Sequence, residues 1–104
     1  MAQFDVYLNP SPVTSKGIPY FLDVQSDLLY TLNTRAIVPL VLAEEMGRAV
    51  KYLNPQFKIK GVVVVMSTAE LAGLPVKSFG AKTTSLKPKR DEIIAALDIL
   101  FTGI

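Results

Sequence analysis

The sequence contains no cysteine and no histidine. Without cysteine there can be no disulfide, no thiolate nucleophile and no zinc–thiolate site. Without histidine the commonest general base near neutral pH and the commonest transition-metal ligand are both missing, so chemistry would fall to carboxylates, Lys, Tyr, Ser or Thr. Long apolar runs are absent too. None is longer than Val62 to Met66, which falls far short of the roughly 20 residues of a spanning helix. The opening MAQFDVYLNP lacks a signal-peptide pattern. A cytoplasmic protein without a membrane partner is expected. Charge of either sign is scarce: eleven Lys and Arg stand against nine Asp and Glu, a net +2. That excess is too small to hold nucleic acid by electrostatics alone. A non-enzyme is therefore expected, with no catalytic residue, cofactor or metal.

What is present is apolar. Half of the 104 residues are hydrophobic and the mean hydropathy is +0.36, high for a small soluble monomer. The length suits one domain, 1–104, with a modest core. Part of its surface is expected to be covered by a second copy or a partner.

Phe4 to Leu8 alternates and reads as a strand ended by Asn9-Pro10-Ser11-Pro12, with a loop over Ser11 to Pro19. Tyr20 to Val24 is a second strand, and Ala36 to Leu42 a third in which Pro39 calls for a bulge or an edge. Ala43 to Leu53 has broken helical spacing and reads as irregular turns. Phe57 to Lys60, Gly61 and the β-branched Val62 to Ser67 form a hairpin pattern. Ser67-Thr68-Ala69-Glu70 fits a capping box, which predicts a helical turn through Leu71 that stops at Gly73. Leu74 to Phe79 is a short strand interrupted by Pro75. Ser85 to Pro88 then leads into a helix. Five or six short strands followed by one helix predict a mainly β fold, a small antiparallel barrel with a C-terminal α-helix.

That helix, Asp91 to Phe101, carries an apolar stripe of Ile93, Leu97, Leu100, Phe101 and Ile104 opposite Asp91, Ala95, Asp98 and Thr102. Leu100 and Phe101 read as core residues and Thr102 as exposed. The helix end adds Asp98 and a carboxylate to an already negative dipole end, with no cation in the last turn. Either a tolerated mismatch or a docking surface accounts for this. Gly103 suits a left-handed cap or a close backbone approach.

Asp23 and Asp27 span a turn, where carboxylates bond backbone N–H groups more readily than they pair around a cation. Arg35 orients a DVQSD carboxylate or recognises a phosphate. Lys82, Lys87, Lys89 and Arg90 read as a solvated basic face, or as contacts to an acidic partner or a phosphate. Val62 to Val65 is either an outward apolar stripe or a strand buried on both faces.

The string Phe21-Leu22-Asp23-Val24-Gln25-Ser26-Asp27-Leu28-Leu29, then Arg35 and Ile37-Val38-Pro39-Leu40, resembles the CcdB family of toxins. Asn54-Pro55 with Ile59, Leu74-Pro75-Val76, and Ile93 to Gly103-Ile104 extend the resemblance over almost the whole chain. It implies a homodimer of SH3-like barrels with a C-terminal helix, the CcdB/MazF-type fold. It also implies a non-enzymatic toxin of a toxin–antitoxin module that binds the A subunit of DNA gyrase, traps the cleaved gyrase–DNA complex and is neutralised by a partly disordered CcdA-like antitoxin. DNA would be met only through gyrase or the antitoxin complex. Carried over by position, the gyrase contacts are Leu28, Leu29, Asp98, Phe101, Thr102, Gly103 and Ile104. The best-known family member has a large aromatic residue where this chain has Thr102, so a typical anchor is missing. The same resemblance puts antitoxin contacts in the Asn9 to Gly17 loop and the Val41 to Val50 segment, at Glu44, Glu45 and Arg48.

Two other readings stay open. A MazF/Kid-like endoribonuclease toxin would share the barrel, but it would need a base, a cation and RNA contacts that this composition supplies poorly. A decayed toxin acting as an antitoxin-dependent corepressor is the third.

Overall fold

The structure, a computed structural model, describes residues 1–103. Seven strands make one curled antiparallel sheet: β1 (Asp5–Leu8), β2 (Tyr20–Asp23), β3 (Thr34–Leu42), β4 (Gln56–Ile59), β5 (Val62–Met66), β6 (Ala72–Pro75) and β7 (Lys82–Ser85). An α-helix, α1 (Arg90–Thr102), follows. The strand order is β4-β5-β3-β2-β1-β7, with β6 added on β3. The sheet curls into a half-barrel around Phe4, Leu22, Leu40, Phe57 and Met66, and α1 supplies Ile93 and Ala96 to that core. This is the expected small barrel with a C-terminal helix.

The hairpin forms where alternation predicted it. Phe57 and Ile59 point into the core while Gln56 and Lys58 are exposed. The two-residue turn takes positive φ at Lys60 (49°) and Gly61 (82°), the geometry that matches strand twist in a tight hairpin. The valine run divides. Val64 and Val65 are buried where β5 is flanked by β3, whereas Val62 and Val63 extend beyond β3 toward the hairpin tip and are exposed.

Several sequence expectations are corrected. Pro39 is neither at an edge nor at a bulge: it sits in the central strand, opposite Phe21 of β2. On the other side β3 changes partner there, from β6 (Thr34 to Ile37) to β5 (Leu40 to Leu42). The Pro39 carbonyl accepts from the Ser67 N–H at that junction, so the missing donor interrupts no ladder. The capping-box segment makes only a 3-10 turn, Thr68–Glu70, with no side-chain cap bond. The Ser67 hydroxyl donates instead to the Glu70 carboxylate. Gly73 then lies in β6 rather than ending a helix. The expected strand over Leu74 to Phe79 stops at Pro75 and continues as a 3-10 turn, Val76–Ser78. The seventh strand, β7, lies outside the five or six expected, because KTTS offers no apolar alternation; pairing with β1 holds it.

α1 is supported mainly along its first half. Ile93 and Ala96 are fully buried, Leu97 and Leu100 half-buried, and Asp91, Ala95, Asp98 and Thr102 exposed. Phe101 is not a core residue: 68% of its surface is accessible. The helix packs against the Thr68–Glu70 turn and its own lead-in.

Candidate functional site

The assigned gyrase contacts fall on two separate elements of the protomer. Leu28 and Leu29 occupy a 3-10 turn, Asp27–Leu29, whose N-cap Ser26 hydroxyl accepts from the Leu28 N–H at 3.2 Å. No hydrogen bond or ion pair among the described residues links this turn to the end of α1.

The turn is held from beneath by the DVQSD segment. Asp23 is fully buried; one of its carboxylate oxygens accepts from Arg35 Nε at 2.8 Å and lies in ion-pair contact with Nη2 at 2.7 Å. Its other oxygen accepts from the Gln25 N–H at 3.0 Å. The Gln25 side chain donates to the Leu29 carbonyl (3.2 Å) and accepts from the Ala36 N–H (2.9 Å), so one amide ties the turn to β3. Asp27 is exposed and accepts from the Gln3 N–H at 2.8 Å. The two aspartates therefore serve backbone and Arg35 rather than converging on a common cation. Burial pushes the Asp23 carboxyl above its ordinary value, and the Arg35 guanidinium opposes that shift.

What this frame presents is apolar. Leu28 is 88% exposed and Tyr30 76%, with Leu29, Leu32, Met1 and Val76 also exposed. A groove of about 270 Å³ runs between Met1, Tyr30, Leu32, Arg35 and Val76. Tyr30 is not among the contacts expected from the sequence. Its position directly after the Leu28-Leu29 pair is the one signal that could have found it.

At the other element, Phe101 stands out from α1 and the Thr102 hydroxyl donates to the Asp98 carbonyl at 2.7 Å. Gly103 caps the helix in the left-handed region (φ 76°) and its N–H donates to the Ile99 carbonyl at 3.0 Å. A residue with a Cβ would be strained there. The last turn holds no basic side chain. Ile104, also assigned to this contact set, lies outside the described residues.

The segments assigned to the antitoxin come together. The Leu42 N–H donates to the Gly17 carbonyl at 2.9 Å, and the Glu45 side chain lies over Gly17. Glu44, Glu45 and Arg48 are exposed. Beside them a groove of about 280 Å³ is lined by Leu42, Ala43, Glu44, Val62 and Val63, so the exposed valines border this surface.

Lys82 leaves the expected basic face. It pairs with buried Asp5 at 3.4 Å, and Asp5 also accepts from the Tyr7 hydroxyl at 3.3 Å. Burial, then the Asp5 charge, raises the Tyr7 phenol to about 12.

With this geometry in view, comparison with known proteins shows the family. The family model described as CcdB protein matches residues 3–103. The chain belongs to the CcdB family, toxins of toxin–antitoxin systems. Its fold is also similar to a solved structure described as an endoribonuclease in complex with its cognate antitoxin, from a mycobacterial species. That match has a TM-score of 0.74 at 13% identity, over 96% of this chain and 93% of the other.

Proposed function

We propose that the protein binds the A subunit of DNA gyrase and traps the enzyme on cleaved DNA, and that a CcdA-like antitoxin neutralises it. The observation that carries this reading is Phe101: a large aromatic side chain, 68% exposed at the end of the last helix, has the character of an interface anchor. It takes the anchoring part that Thr102, short and bonded back onto its own helix, does not fill. Leu28 and Leu29 form the second contact, rigid because Gln25 and Asp23 fix their turn. Two copies of the chain bring both elements to one target, which agrees with the exposed apolar surface left on a single protomer. Sedimentation should accordingly give about twice 11.4 kDa.

Antitoxin recognition falls to Glu44, Glu45 and Arg48 with the adjoining Gly17 loop. The action is non-enzymatic and cytoplasmic.

A ribonuclease reading is favoured by one fact, the fold likeness to an endoribonuclease. Against it, Arg35 is buried and committed to Asp23, which leaves it unable to reach the phosphate of an RNA substrate. Co-precipitation of purified protein with the gyrase A subunit tests the reading. Binding lost on Phe101→Ala supports it; no binding, together with RNA cleavage that disappears on replacing Arg35, overturns it.

A further inference from the structure

The half-barrel does not close. Its terminal strands, β4 and β7, each pair on one side only, and their free edges face a common groove of about 310 Å³. Lys58 and Lys60 line one wall, Lys89 lies on the other, and Thr83, Thr84 and Ser85 form the floor on the β7 side. All three lysines are exposed, and among the described residues none has a carboxylate within ion-pair distance.

The register shows what the edges offer. Pro55 accepts from the Met66 N–H, and Phe57 opposes Val64 while Ile59 opposes Val62. Phe57 and Ile59 therefore turn their backbone groups to β5, and Gln56 and Lys58 turn theirs to the open side. On β7 the Leu86 N–H donates to Phe4, so Thr84 faces β1 and Ser85 the open side. Lysine on an edge strand commonly serves to discourage pairing between copies of a protein. That purpose does not explain a third lysine on the opposite wall, nor two open edges sharing one groove.

We propose that this seam binds an extended acidic segment of a separate polypeptide, which adds as a strand along β4 while its carboxylates meet the lysines. Side chains on one face of a strand recur at every second residue, roughly 6–7 Å apart. Lys58 projects from β4 and Lys60 from the turn that follows it, so acidic residues at alternate positions of an added strand would run past both. Backbone bonding supplies affinity and the lysines select charge, the division found in strand addition generally. Nucleic acid is the poorer fit, since among the described residues no aromatic side chain lines the groove to stack a base.

The test needs neither gyrase nor an antitoxin, so its outcome is independent of the function proposed above. A synthetic Val-Glu repeat peptide, capped at both ends, is titrated against the intact protein and followed by calorimetry. Binding is expected to weaken about tenfold or more in Lys58→Glu/Lys60→Glu, with the circular dichroism spectrum unchanged. Should that variant fold poorly, Lys89→Glu on the other wall is expected to weaken binding alone. Methylating alternate peptide amides is expected to abolish it. No binding to the wild type, binding indifferent to the lysines, or undiminished binding of the methylated peptide would overturn the proposal. So would an oligothymidylate that binds the same lysines more tightly than the peptide.

Discussion

Arg35 and Asp23, twelve residues apart on β3 and β2, make an ion pair in the protein interior with both side chains almost wholly shielded from solvent. The pair sits directly under the Leu28-Leu29 turn, because Gln25 bonds Asp23 on one side and Leu29 on the other.

Removing one partner of such a pair strands the other. Arg35→Leu is expected to cost about 3–5 kcal/mol, since an uncompensated buried carboxylate is left behind. Arg35→Lys should recover only part of this, because an ammonium lacks the fixed spacing of Nε and Nη2. Urea unfolding measures both losses. A change within about 0.5 kcal/mol for Arg35→Leu, the size ordinary for a surface site, would show that the pair does not hold the turn.

Tyr7 gives a pH dependence of known sign. Its phenol is raised from 10.0 to about 12 by burial and by Asp5, so above pH 10 the folded state holds a proton that the unfolded chain releases. The stabilisation is complete below pH 10 and is lost as the pH rises through 12. Near-ultraviolet titration of tyrosinate should show a group that ionises late, absent in Tyr7→Phe. Loss of that group with no change in alkaline stability would disconnect the two.

The exposed charges of the Val41 to Val50 segment should matter to a partner and not to the fold. Glu44→Lys with Glu45→Lys, or Arg48→Glu, is expected to weaken the antitoxin complex severalfold while stability moves by no more than about 0.5 kcal/mol. Affinity and thermal melting measured on the same samples separate the two effects. Unchanged antitoxin affinity in both variants would move that contact elsewhere.

The elements that the sequence reveals are those where one residue type repeats at one period. The β4–β5 hairpin shows because Phe57 and Ile59 alternate with lysines before a glycine turn. The pairing of Arg35 with a DVQSD carboxylate is likewise legible, since a lone guanidinium in an apolar strand needs a partner. β7 is not, because KTTS has no buried face and gains its structure from β1. Lys82 is misleading for the same reason: its neighbours in sequence are basic, but the strand carries it to Asp5. Phe101 keeps the helical period of the buried stripe yet is exposed, because periodicity records the face of a helix and not how far along it the support extends. Tyr30 and the seam between β4 and β7 depend on how the sheet curls, which no local pattern contains.

The most direct measurement is the trapping of gyrase on cleaved plasmid DNA by wild-type protein, by Phe101→Ala and by a chain lacking Thr102 to Ile104. Wild type is expected to give protein-linked, cleaved DNA. Phe101→Ala should lose 2 kcal/mol or so of binding, roughly thirtyfold in the concentration required, and the truncated chain should trap none while staying folded and bound to its antitoxin. Replacing Thr102 by Trp should lower the concentration needed. A wild-type protein that leaves gyrase religating normally, or variants as active as wild type with their fold unchanged, would contradict the assignment of toxicity to the end of α1.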